Sequence, residues 1–148
     1  MSWQARAAIN TLLQVSSGGS PEAFTTIAGV SSIQGPDFSV NVVDVTTHSN
    51  ANPWRQKIPT LLDPGSLQFE LFLDPSEPTH GEDGVGVVSM FLNRIITRFK
   101  LGFPAPNQAS YYICTGFFSA LGHAFPVDGV ISANATLTFS GPPEVNLQ

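Results

Sequence analysis

The sequence is short of charge, of cysteine and of long apolar runs. Charged residues make up 11% of its 148 residues, against about 25% in an average soluble domain. A single cysteine excludes an internal disulfide and a multi-cysteine zinc site. No apolar run approaches the roughly 20 residues that cross a membrane. With only six lysine and arginine residues and a formal charge of −5, the chain is a poor candidate for a sequence-reading nucleic-acid binder.

Apolar and aromatic residues are plentiful instead. They include 11 phenylalanines in a chain that is 42% hydrophobic, a composition that argues against intrinsic disorder. The length predicts one domain, spanning residues 1–148, with a sizeable core.

Charge is unevenly distributed along the chain. Between Leu101 and Pro143 the only formally charged residue is Asp128. A monomer normally keeps charge on its water-facing surface for solubility, whereas the cores of subunit interfaces are depleted in charge. Two interpretations stay open here: a neighbouring subunit covers this part of the chain, or it is a strand-rich core with a plain Ser/Thr surface.

Alternation with a period of two residues is the commonest pattern and predicts a mainly β fold. The clearest case is Ile131–Ser140, where apolar residues alternate with Ser, Thr and Asn. The terminal segment, Ser140–Gln148, is expected to be a free or partner-bound tail. Further strands are predicted at 11–15, 25–33, 38–46, 67–73, 96–103 and 111–121.

One helix is predicted between Asp83 and Ile95. Asp83 is a candidate N-cap, and Arg94 lies near the end, where the helix dipole favours a cation. We expect the helix to pack on the sheet through an apolar stripe formed by Val85, Val88, Leu92 and Ile95.

The loop predicted at His48–Gly65 is longer than a usual connection. It has three prolines but also several large apolar side chains, which must pack on something. We expect it to dock on an adjacent subunit or ring, and the alternative is that it covers its own sheet. The candidate docking residues are Trp54, Arg55, Ile58, Leu61 and Leu62.

Motifs for catalysis are absent from the sequence. It has no Gly-x-Ser-x-Gly elbow, Walker loop, His-Glu-x-x-His pair or EF-hand loop. Cys114 is interpreted as a small buried hydrophobe within a strand, and His48, His80 and His123 as scattered loop or surface residues. The acid-rich second loop, Asp74–Asp83, is the one candidate for Ca²⁺ or Mg²⁺, although acids in a solvated turn are commoner. No catalytic, cofactor or metal site is predicted, and the chain is not expected to be an enzyme.

Five segments, in order, carry a family resemblance that covers nearly the whole chain. They are Ser20–Pro36, Asp44–His48, the loop ending in Ile58–Gly65, the strand ending in Gly102–Pro104 and the closing Phe139–Pro142. This ordered set resembles the major tail tube proteins of long-tailed (siphovirus-type) bacteriophages. The resemblance implies a β-sandwich or barrel-like tail tube fold with one flanking α-helix and a long loop. Some members of the family carry an extra C-terminal immunoglobulin-like domain, which is not expected within these 148 residues.

The resemblance also implies a function. Such proteins close into hexameric rings that stack into a tube, so the chain is expected to be a structural protein of the virion tail, assembled in the host cytoplasm. The implied partners are further copies of itself, the tape measure protein, the tail terminator and tail tip proteins, and genomic DNA that passes through the lumen without sequence-specific binding. No membrane is implied.

An acidic chain suits a DNA conduit, because a neutral or acidic lumen does not hold phosphates by ion pairs. Asp44 and Glu70, on or beside predicted strands, are the candidate lumen-facing acids. Arg98 and Lys100 point away from the apolar face and are expected either to pair with acids of a neighbour or to be solvated.

Two other classes of function stay open. A soluble β-sandwich module could bind carbohydrate through exposed aromatics such as Trp3 or Trp54. A metal-dependent hydrolase would use the acids of Asp74–Asp83.

Overall fold

The structure is a computed structural model that describes residues 11–18, 22–49, 51–82, 84–104 and 110–147. Within these residues it is built from β-strands and one short helix, α1 (Val87–Leu92). The strands are β1 (Leu12–Ser16), β2 (Phe24–Thr26), β3 (Val30–Gln34), β4 (Ser39–Asp44), β5 (Lys57–Asp63), β6 (Ser66–Phe72), β7 (Thr97–Gly102), β8 (Tyr111–Ala124), β9 (Ser132–Phe139) and β10 (Glu144–Asn146).

One antiparallel sheet runs in the order β2-β1-β7-β8-β9-β6-β3, with β10 also paired to β8. The long strand β8 belongs to two parts of this sheet. Its first residues pair with β7 and β10, and from Gly116 onward it pairs with β9. We call the part formed by β3, β6, β9 and the end of β8 the second half-sheet. A single apolar cluster joins both parts, from Leu13 and Phe99 on one side to Leu67 and Leu137 on the other.

The alternating pattern predicted at 131–140 and 67–73 is confirmed. Ala133, Ala135, Leu137 and Phe139 of β9 are buried, and so are Leu67, Phe69 and Leu71 of β6, whereas Phe72 at its end is 49% exposed. Because side chains alternate between the two faces of a strand, the polar residues of both strands face away from the core. Full burial of a side chain such as Leu137 stabilises the fold by about 1.5–3 kcal/mol.

The strand predicted at 25–33 is wrong as one element. It is divided into β2 and β3 at Gly29, which has φ +74. A Cβ at this glycine would lie 2.9 Å from the carbonyl oxygen of Phe72. The left-handed backbone and the close approach both favour glycine here, and the chain leaves β1 to join β6.

The long loop predicted at 48–65 is also wrong in its second part. Residues 57–63 form β5, which pairs with β4 in a separate two-stranded sheet. Pro59, the consecutive Leu61 and Leu62, and an irregularity in the β4–β5 register hide the period of two in the sequence. The connecting segment is therefore 45–56.

Helix α1 is shorter than predicted. Gly86 is its N-cap, it ends at Leu92, and Asp83 lies outside the described residues. Its buried face is Val87 and Met90, whereas Leu92 of the predicted stripe is 64% exposed. A helix of six residues makes less than two turns, so it packs through one i, i+3 pair and not through an extended stripe. No described helix is long and apolar enough to cross a membrane.

The terminal segment is not a free tail. Glu144–Asn146 forms β10 and pairs with Tyr111, Tyr112 and Ile113 of β8. Arg98 of β7 donates to the carboxylate of Glu144 and, at 2.5 Å, to that of Glu22. These ion pairs within the chain tie β10 and the approach to β2 onto β7.

Candidate assembly surfaces

The β4–β5 hairpin is exposed over its whole length. Every described residue from Asp37 to Asp63 is exposed, although many carry large apolar side chains. Trp54, Leu61 and Leu62 are 76%, 78% and 82% exposed. An isolated two-stranded hairpin is marginally stable in water, and contiguous exposed apolar patches mark interaction sites. The hairpin therefore has the character of an element that another surface covers.

A polar network shapes the end of the hairpin. The Asp44 carboxylate accepts hydrogen bonds from the backbone N–H of Thr46 at 2.9 Å and from its hydroxyl at 2.6 Å, and Arg55 lies 3.3 Å away. These hydrogen bonds, that from the Thr46 hydroxyl above all, and the Arg55 charge lower the pKa of Asp44. The backbone N–H of Gln56 donates to the Thr46 hydroxyl at 2.8 Å. Asp44 and Arg55 thus hold the turn that presents Trp54.

At the root of the hairpin, the segment that enters β4, at Asp37, passes close to the segment that follows β5, at Gly65. Gly65 has φ +72, and a Cβ there would lie 1.9 Å from the carbonyl oxygen of Asp37. Its N–H donates to the Asp63 carboxylate at 2.8 Å, and the N–H of Asp37 donates to the carbonyl of Ser66 at 3.2 Å. Only glycine fits this crossing without displacing the backbone. The direction in which the hairpin leaves the sheet is therefore determined locally.

The second half-sheet has a polar face opposite the core. Ser32, Glu70 and Asn134 are register partners across β3, β6 and β9, so they share this face. The face surrounds a shallow depression of about 300 Å³. Glu70 is its only charged side chain among the described residues. The other polar members are Gln34, Ser66, Gln68, Ser119, Ser132, Thr136 and Thr138, and the rings of Phe72 and Phe117 share the face.

The same half-sheet is open at both edges. On one side it ends at β3, and no other described strand pairs with β3 beyond β6. On the other side, β7 and β10 pair only with β8 residues up to Gly116, which leaves one edge of 117–124 without a partner strand in the described chain. Open edges present rows of backbone donors and acceptors to another chain.

The candidate residues from the sequence lie in two separate places. Trp54 and Arg55 are in the turn of the hairpin, and Ile58, Leu61 and Leu62 are on β5. Asp44 is on β4 and Glu70 on β6, so the structure does not bring the two candidate lumen acids onto one surface. The polar partners of Glu70 were not singled out from sequence, although their alternation with buried apolar residues was visible.

The acid-rich loop contains a buried histidine: His80 lies in a loop, as expected, but its side chain is 2% exposed and does not lie at the surface. The Nδ1 of His80 accepts from the N–H of Asp74 at 3.1 Å, and its Nε2 pairs with the carbonyl oxygen of Ala28. Through these two contacts the ring fastens this loop to the turn before β3. Hydrogen bonds from Ser76, the hydroxyl first, lower the pKa of Asp74. Across the described ranges no three His, Cys, Asp or Glu side chains are grouped to hold a metal ion.

The two basic residues of β7 have partners within the chain. Besides the ion pairs of Arg98, the Lys100 ammonium lies 4.5 Å from the ring centroid of Tyr111 and 5.5 Å from that of Phe24. The expectation that they are only solvated is therefore wrong, and pairing with acids of a neighbour stays a prediction. Cys114 is buried, as predicted, and burial raises its pKa to about 11.

No family model matches the sequence, and no curated protein matches it. Solved structures do match over nearly the whole chain. The virion of a native gene transfer agent particle gives a TM-score of 0.76 at 16% identity, covering 97% of this chain and 100% of that one. The tail of the empty gene transfer agent particle, with C6 symmetry, gives 0.75 at 15% identity with the same coverage.

The SPP1 tail tube matches with a TM-score of 0.64 at 8% identity, covering 93% of this chain and 77% of that one. Likeness at these identities establishes the fold. The chain therefore has the mainly β fold of phage-type tail tube proteins, as the resemblance implied.

Proposed function

We propose that this chain is the subunit of a tail tube, in which six copies close into a ring and rings stack around a lumen. The observation that carries the proposal is the second half-sheet, which has one buried face, one polar face and two open edges. A sheet of this kind is complete only when copies of it are joined side by side. The C6 symmetry of the similar gene transfer agent tail supports six copies.

Ring closure is proposed to pair β3 of one copy with residues 117–124 of the next. Such a contact joins two different patches, so it is heterologous, and it generates a ring when the rotation closes. Each copy contributes four strands, and the closed barrel has no edge left to aggregate.

The polar face then lines the lumen, and Glu70 is its one charged side chain within the described part of the chain. The lining combines hydroxyls, amides, the Phe72 and Phe117 rings and one carboxylate per copy among the described residues. These residues include no cation to neutralise DNA phosphates, so DNA moves past the lining without being held. Asp44, the second candidate, stays a prediction as a lumen residue. We propose that its main role is to hold the hairpin turn through Thr46 and Arg55.

The β4–β5 hairpin is proposed to lie against a neighbouring copy. Its apolar side chains would then be removed from water at about 25 cal/mol per Å² of apolar surface. Trp54, Ile58, Leu61 and Leu62 supply the contact, and Arg55 positions the turn.

The remaining partners follow from the same role. We propose a location in the virion tail after assembly in the host cytoplasm, with tape measure protein and then genomic DNA in the lumen, and terminator and tip proteins at the ends of the tube. The role is structural and needs neither catalysis nor a cofactor.

The first experiment is sedimentation velocity and negative-stain imaging of the full chain at rising concentration. Sixfold rings and tubes are expected. A monomer at every concentration would overturn the proposal. Glycan binding by that monomer, lost on Trp54→Ala, would favour the carbohydrate-binding module instead.

The edge pairing has its own test. Ser32→Cys in β3 is combined in turn with Ala120→Cys, Gly122→Cys or Ala124→Cys in β8, which lie on the same polar face, and the assembled protein is oxidised. At the correct register a ladder of disulfide-linked species up to the hexamer is expected on a denaturing gel. Ser76→Cys in place of the β8 cysteine is the matched control and should give no ladder. Sixfold rings without a ladder in any combination would exclude this pair of edges.

A further inference from the structure

Two apolar patches lie at opposite ends of strand β9. The tip patch is formed by Phe125, Val127 and Val130, in the turn between β8 and β9, and all three side chains are more than half exposed. The end cleft, of about 500 Å³, lies beyond the other end of β9. Its apolar lining is formed by Phe38, Leu62, Pro64, Pro142, Pro143 and Val145.

The tip patch is a compact projection. The Phe125 ring stacks on His123, with centroids 6.1 Å apart and planes at 11°. At the base of the turn, the carbonyl oxygen of Ile131 accepts from the N–H of Leu73 at 3.0 Å. A projection already held in shape loses little conformational entropy when it docks.

The end cleft is equally well formed. It lies between the hairpin root and the segment that leads into β10, and Phe38 on its wall packs edge-on against Tyr112. The Asp63 carboxylate at its rim is already engaged by the N–H of Gly65. A cleft of this volume is in the range of about 300–1,000 Å³ that holds small apolar groups.

We propose that the tip patch of one copy inserts into the end cleft of a second copy in the next ring of the tube. This inference rests on the proposed function and assigns the contact that stacks one ring on another. The eight residues of β9 separate the two patches by roughly 26 Å, at about 3.3 Å per residue. A projection at one end and a receptacle at the other make a heterologous contact, which repeats as an open stack when it does not close on itself.

The area of the contact explains why rings must form first. A docked Phe buries about 150–250 Å², so the whole tip buries well under the roughly 800 Å² per partner of a stable pair. A single tip does not hold two free copies together. Six tips on a closed ring bind as one multivalent unit, because each contact raises the effective concentration of the next.

The charges near the proposed contact predict how stacking depends on salt. The tip carries Asp128 and the rim of the cleft carries Asp63, and none of the described residues that line the cleft is a lysine or arginine. Like charges across an apolar contact repel, and salt screens exposed charges. Added salt therefore promotes stacking, whereas it would weaken a contact built on ion pairs.

Four variants of the full chain test the contact. Val127→Asp places a carboxylate on the tip, and Val145→Asp places one in the cleft. The double variant Val127→Lys with Val145→Asp restores complementarity in every contact of the stack. Leu92→Asp, at an exposed apolar position of α1 outside both patches, is the matched control.

Each single variant is expected to give closed sixfold rings while the fraction of protein in tubes falls by at least tenfold, the effect of about 1.4 kcal/mol. The double variant and the control are expected to form tubes, and circular dichroism verifies that all four are folded. Normal tubes from either single variant, folded single variants that form no rings, or no rescue by the double variant would each overturn the inference. A wild-type chain that forms no rings would instead overturn the proposed function.

Discussion

The ring of Phe38, at the root of the β4–β5 hairpin, meets the ring of Tyr112 in β8 edge-on, with centroids 5.6 Å apart and planes at 78°. Tyr112 makes a second edge contact with Phe103, with centroids 5.1 Å apart and planes at 88°. The three rings anchor an otherwise exposed hairpin to the main sheet. The direction in which the hairpin reaches a neighbouring copy is therefore linked to the core.

Phe38→Ala is expected to lower the free energy of unfolding by about 0.5–1.5 kcal/mol beyond the lost area, because it removes the edge contact. Tube formation should fall further, since the hairpin loses its anchor. Urea unfolding and pelleting of tubes measure the two effects. Val40→Ala, also on the hairpin but without a ring contact, is the control and should change both less.

Trp54→Ala and Ile58→Asp are expected to change the free energy of unfolding by no more than about 0.5 kcal/mol, as for other exposed sites. Assembly should be strongly impaired, because both side chains meet water in the single chain. Unfolding followed by circular dichroism measures the change in stability, and sedimentation measures the loss of assembly. Equal loss of folding and assembly would show that the hairpin only covers its own domain.

Glu70→Lys is expected to leave tube formation intact but to make the lumen retain DNA. Each ring would exchange six carboxylates for six ammonium groups, if it has the sixfold symmetry of the similar tail, and phosphate binding of this kind falls steeply with salt. Co-sedimentation of short DNA with tubes, at low and high salt, is the measurement. Glu82→Lys, in the acid-rich loop, is the matched control. Equal DNA retention by both variants would place Glu70 outside the lumen.

Cys114 is expected to be almost inert to thiol reagents at pH 8 and to react fully in urea, because its pKa in the folded chain is about 11 and the thiolate is the reactive form. Because folding raises the pKa of the Cys114 thiol, ionisation of the thiol in the unfolded chain favours unfolding. The folded state keeps its full stability only at a pH where the unfolded thiol is still protonated. The free energy of unfolding should therefore decline as the pH rises from 9.0, the ordinary pKa of the thiol, toward 11. Thermal melts of the wild type and of Cys114→Ala across this pH range test the prediction. If the melting temperature falls with pH as steeply in the variant as in the wild type, other groups cause the decline.

Patterns that span one element were predictable. The faces of β6 and β9 follow from alternation alone, because successive side chains of a strand point to opposite sides. Cys114 was assigned correctly for the same reason, since it lies on an apolar strand. These features need no knowledge of which strands are neighbours.

Elements without such a pattern were missed. Strand β5 is exposed on both faces, so burial imposes no alternation on it, and Pro59 suggested a loop. Strand β10 has three residues and forms only because β8 offers an edge to it. His80 became a core residue because Ala28, distant in the sequence, places a carbonyl oxygen against its ring.

The amino-acid order determined by itself that this chain is mostly β, poor in charge and short of catalytic motifs, because composition and alternation are local properties. Only the tertiary structure decided which strands form the edges of the second half-sheet and that apolar patches lie at both ends of β9. It also decided that Glu70 is the only charged side chain on the polar face among the described residues. Those features depend on register between segments far apart in the chain, and register is set by the packing of the whole core.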